Sequence, residues 1–107
     1  MAFDALEIAI ALCAALREPL ERLRQHDPDL ADQARRAANG VALQLSEARR
    51  RSGKDRLNRY RMAAGSADEL HTALRLGQAW GHLDAASVAE PLALLDRLQA
   101  MCWRLTH

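Results

Sequence analysis

The shortages in this chain of 107 residues narrow its class first. β-Branched residues are scarce: Val occurs twice and Ile only at positions 8 and 10. Aromatic residues make up 4% of the chain. Strands draw on both groups, so a sheet protein is not expected. Five Gly and three Pro leave no low-complexity linker, and no internal repeat is present. The two cysteines, Cys13 and Cys102, lie far apart and match no metal-ligand spacing. Each falls on an apolar helical stripe, as a small core residue in a reducing cytosol would. No apolar run is long enough to span a bilayer. "IAIALCAAL" has the look of a signal-peptide centre, but Asp4 and Glu7 stand where its positive charges belong. A buried helix of a cytoplasmic protein, with no membrane contact, is the expectation.

The chemistry of catalysis is equally sparse. His26, His71, His82 and His107 are dispersed, and neither a Glu-x-x-His motif nor an i,i+4 His pair occurs. There is no phosphate-binding Gly loop and no nucleophile motif. Asp68 and His71, three residues apart, are placed for a surface pair and no more. No enzyme, metal or cofactor is expected.

Ala and Leu are abundant, and with Arg, Gln and Glu they favour helices. The length fits one domain with a core of its own. The apolar spacing predicts four helices. The first runs from about residue 3 to 26, with Leu6, Ile10, Cys13, Leu16, Leu20 and Leu23 on one face and a kink, not a break, at Pro19. The second follows an Asp27 cap with Pro28 in its first turn and reaches about residue 51. Its face is Leu30, Ala34, Ala37, Val41, Leu45 and Ala48. Gly53 is the expected stop, with Ser52 or Asp55 capping the third helix, which carries Leu57, Tyr60, Ala64, Ala67, Leu70 and Leu74 and ends by Gly81. Mid-helix Gly65 suggests close approach by a neighbour, and Ser66 a helix–helix contact. The fourth helix starts between residues 84 and 91, where Ser87 and Glu90 read as a capping box, and buries Leu94, Leu95, Leu98, Met101, Cys102 and Leu105. Short connections imply an all-α, antiparallel up-down-up-down four-helix bundle.

Some large apolar residues fall off these stripes: Leu43, Met62, Leu76, Trp80, Leu92 and Trp103. Contact surfaces are rich in such residues and in Trp particularly. A homo-oligomer using these positions is expected.

Charge is unevenly distributed. Residues 1–34 hold three Arg and seven acids, residues 35–61 nine basic residues and two acids, and residues 62–107 three Arg and five acids, or −4, +7 and −2 for a net +1. The centre of the basic third is "SEARRRSGKDRLNRYR", residues 46–61. Arg49, Arg50, Arg51, Lys54, Arg56, Arg59 and Arg61 gather there at one inter-helix turn. The helix dipole accounts for Arg49 to Arg51 at a C-terminus, but not for Arg56 and Arg59 at an N-terminus. Phosphate binding to RNA or DNA is one use of such a cluster. Docking of an acidic protein partner is another, and a solvated end on a structural oligomer is the third. The one aromatic in the stretch, Tyr60, lies on the core stripe, so no base-stacking surface is evident.

Residues 30–83 resemble the four-helix-bundle proteins associated with 23S rRNA intervening sequences. Gln33, Arg36 and Ala37 match that family's Gln-x-x-Arg-Ala run, Glu47 and Arg51 its central polar segment, and Ala63, Gly65, Ser66, Glu69 and Leu70 its Gly-Ser segment. Departures fall at Gly40, Gln44 and Ala48, where the family carries Ser, Asn and Gly. The resemblance implies a homo-oligomeric bundle, with pentamers expected in relatives, and a nucleic-acid role. A related protein, the accessory factor of diversity-generating retroelements, works with a reverse transcriptase and RNA, so such a protein partner is implied as well.

Overall fold

The computed structural model describes residues 2–107, with side chains from Ala5 onward. It is all-α, with helices α1 (Ala2–Ala15), α2 (Arg17–His26), α3 (Pro28–Ala48), α4 (Gly53–Ala79) and α5 (Ala85–Thr106). The described residues thus form five helices, not four. The expected kink in the first helix is a one-residue break at Leu16. Pro19 has no N–H for the carbonyl of Ala15, and its ring crowds that carbonyl. The ladder resumes at once, with Leu16 N bonded to Leu12 O at 3.0 Å and Leu20 N to Leu16 O at 2.9 Å. Leu16 and Pro19 are both buried.

α3 packs most extensively on α4, α4 on α5, α5 on α1, and α1 and α2 close the circuit against α3. The molecule measures 43 × 22 × 20 Å. A 27-residue helix is about 40 Å long, so α4 runs the full length and the α3–α4 turn lies at one end. The six expected core residues of α3 are all buried. α1 differs: Ala5, Ala9 and Leu12 face the core, and Ile10 is 51% exposed. A helix apolar around most of its circumference gives periodicity little to choose between, and small alanines let α1 approach its neighbours closely. On α4, Ala73 joins Tyr60, Ala63, Ala67, Leu70 and Leu74 in the core.

Termini are set by caps. The Asp27 carboxylate accepts from Leu30 N at 3.0 Å with Pro28 in the first turn. Gly81, at φ +79°, ends α4, and His82 N reaches Gly77 O at 2.9 Å. α5 corrects the expected capping box. Asp84 is the cap, accepting from Ser87 N at 2.8 Å, while Ser87 Oγ donates to Asp84 O at 2.9 Å. Pro91 consequently sits inside the helix.

Close approach occurs at Gly40, not at Gly65. A Cβ on Gly40 would come within 2.9 Å of Ser66 Oγ, which makes Ser66 the α4 partner of that contact. Gly65 is exposed, with no atom within 4 Å of its would-be Cβ. Gly65→Ala therefore meets no steric cost and reduces the freedom of the unfolded chain. We expect a gain of about 0.5–1 kcal/mol in urea unfolding.

Candidate nucleic-acid interface

α3 ends at Ala48, so Arg49 and Arg50 form the turn and Arg51 precedes Ser52 at the foot of α4. Gly53, at φ +57°, lets the chain reverse tightly there. The last carbonyls of α3 and the first turn of α4 are thereby brought side by side. That closeness sorts the seven cations of the stretch into two groups.

Three are occupied within the fold. Arg51 lies between two acids: its Nη2 and Nε donate to Glu47 Oε1 at 2.7 and 3.0 Å, and its Nη1 to Asp55 Oδ2 at 3.1 Å. Arg56 Nε donates to Ala48 O at 3.1 Å and to Arg51 O at 2.7 Å. Arg59 Nη1 donates to Gln44 Oε1 at 3.1 Å, and its Nε is buried without a partner. The assignment of dipole satisfaction to Arg49–Arg51 is therefore corrected. Arg56, arriving from the next helix, satisfies the end of α3, and its place at an N-terminus is offset by those carbonyls. Gln44 ties α4 to α3 through Arg59.

Arg49, Arg50, Lys54 and Arg61 form the second group. Their side chains are exposed and make no ion pair or hydrogen bond among the described residues. The only acids of residues 46–61, Glu47 and Asp55, are both held by Arg51. Arg36 and Leu43, seven residues apart, are exposed on one side of α3.

The Arg51 guanidinium, chiefly through its hydrogen bond, holds the Glu47 carboxyl below its usual range. A lowered carboxylate pKa contributes stability that is present above its unfolded value and lost as pH falls through the folded one. Glu47→Gln is thus expected to lower Tm at neutral pH, and the gap from the parent to close on acidification below pH ~4. Thermal unfolding of the two proteins across that range checks it.

The expected contact residues divide as well. Leu43, Met62, Leu76 and Trp80 are exposed on α3 and α4, Trp80 by 69%. Leu92 is partly buried against the core, and Trp103 is exposed on α5. Asp68 accepts from Gln99 Nε2 at 2.9 Å instead of pairing with His71. Burial raises the Cys102 thiol to about 11, so it stays protonated at neutral pH. Among the described residues no three His, Cys, Asp or Glu side chains cluster to hold a metal, and no helix is long and apolar enough to cross a membrane.

No curated protein and no solved structure matches the chain. Residues 2–104, nearly all of it, match the family described as 23S rRNA-intervening sequence protein. With this match and its all-helical build, the chain belongs to the 23S rRNA-intervening sequence protein family.

Proposed function

We propose that this protein is a non-enzymatic, homo-oligomeric bundle that binds nucleic acid, RNA foremost, through the α3–α4 turn. The observation that carries the reading is the division of the cations. Arg51, Arg56 and Arg59 hold the turn together, and Arg49, Arg50, Lys54 and Arg61 remain without acidic partners at one end of the molecule. Uncompensated cations on a rigid turn suit phosphates, with affinity that depends on salt more than on sequence. Family membership supports an RNA-related role. In this reading α1 and α2 form one bent arm of an antiparallel four-helix arrangement. Filter retention of a structured RNA at about 50 mM salt tests the function, with retention expected at micromolar protein. No retention overturns it.

For the assembly, Leu43, Met62, Leu76 and Trp80 supply the contact in this proposal, and several subunits, five as in relatives, place their turns on a common basic rim. Exposed Trp and Met beside small residues suit a subunit contact. The double variant Leu76→Asp/Trp80→Asp is expected to run at the monomer mass of 11.9 kDa in light scattering, and the parent at a multiple of it. A parent already at the monomer mass refutes the oligomer.

A further inference from the structure

The second exposed tryptophan has a different setting. Trp103 lies in the last turns of α5, is 60% exposed, and is stacked on the His107 ring with centroids 4.4 Å apart and planes 9° from parallel. The stack is held from behind. His107 Nδ1 lies 3.0 Å from Trp103 O, an acceptor, so Nδ1 carries the proton and donates. Thr106 Oγ1 donates to Cys102 O at 2.9 Å. With one indole face against His107 and most of the side chain in solvent, a flat, ordered aromatic surface stands open.

Its surroundings are polar. The α5 residues on its side include Asp96 and Gln99, and charged residues are depleted from the centres of protein contacts. Its position along the bundle is set by the Gln99 Nε2–Asp68 Oδ1 bond of 2.9 Å, which fixes the antiparallel register of α5 on α4. One turn further along each helix, Trp103 is level with Ala64. Arg61, seven residues before Asp68, is exposed less than a turn beyond, and Lys54, in the first turn of α4, is about 15 Å away. Arg104 is exposed beside Trp103. The platform therefore lies in the same half of the molecule as the free cations of the turn.

We propose that Trp103, braced by His107, is a base-stacking platform, and that the preferred ligand of this half is unpaired, single-stranded nucleic acid. The inference rests on the nucleic-acid reading above and adds the ligand class to it. Phosphate contacts alone do not separate paired from unpaired strands. An aromatic face offered to a base does, because only an unstacked base can lie on it. Arg61 and Lys54 on one side and Arg104 on the other would hold the phosphates of a strand of several nucleotides crossing the indole.

The test uses the full chain and a fluorescently labelled oligouridine of about twelve nucleotides, set against a duplex of equal length. The parent should bind the single strand more tightly than the duplex. Trp103→Ala should lower single-strand affinity by roughly 5- to 150-fold, the span for loss of one stacked base, and leave duplex affinity unchanged. Trp103→Phe, which keeps an aromatic face, should recover part of the loss, which a mere folding defect would not show. Trp103→Ala without effect on the single strand, while Arg49→Glu/Arg50→Glu still weakens it, overturns the platform and leaves the phosphate reading standing. A parent that binds neither ligand overturns both.

Discussion

Replacing Arg49 and Arg50 together with Glu lowers nucleic-acid affinity on the order of 100-fold at low salt, and makes the remaining binding less salt-dependent by about two ions. The expectation follows from what these side chains do not do. Neither has an acidic partner among the described residues, so neither must leave one to meet a phosphate, and neither is needed for the turn. Their reversal should leave the helical content unchanged. Arg56→Ala should behave in the opposite way. Arg56 is engaged with Ala48 O and Arg51 O, so its loss strips the end of α3 of a donor and lowers stability, with a smaller effect on binding. Electrophoretic mobility shifts paired with thermal unfolding separate the two classes. Equal loss of affinity in both variants would show that the division of the cations has no functional meaning.

Leu95→Ala is expected to cost about 3–5 kcal/mol, the upper part of the range for a buried Leu, and to lower Tm by roughly 10–20 °C. Leu95 is fully buried on α5. Much of the core it belongs to consists of alanines, including Ala5, Ala9, Ala63 and Ala67, each with no exposed surface. Alanine has no side chain to swing into a void, and helices already close together have little room to settle further. The cavity therefore persists, and its cost adds to the lost burial. Urea unfolding followed by circular dichroism measures the change. A loss below about 1 kcal/mol would mean that the core repacks freely.

These two cases also show what could be read from the residues in order. The core face of α3 was legible because its apolar and small residues recur at threes and fours between charged positions, and all six are buried. α1 was not, because "IAIALCAAL" is apolar on nearly every side and only packing decides that Ala9 turns in and Ile10 out. Pro19 marked a disturbance in the first helix but not its size. Pro91 obscured the start of α5 because the effective cap, Asp84, lies a full turn and more before it. In the site, charge density was legible and the role of each charge was not. Arg51, next to Arg50 in sequence, is held by two carboxylates, while Arg56 serves the helix before its own. Those roles depend on which groups the turn brings within hydrogen-bond reach. Linear spacing showed Glu47 and Asp55 four residues on either side of Arg51, but not the contacts of Arg56 with Ala48 or of Arg59 with Gln44. The Trp103–His107 stack has the i,i+4 spacing of helix neighbours. Its closeness to the basic end needed the antiparallel register of α5 on α4.

The salt dependence of RNA binding by the unaltered protein tests the central claim most directly. Four free cations per subunit predict a plot of log affinity against log salt with a slope of about −3 or steeper, the steeper values arising when several subunits engage one RNA. A slope near zero, or no binding at low salt, would contradict the phosphate grip and turn the exposed arginines toward an acidic protein partner instead.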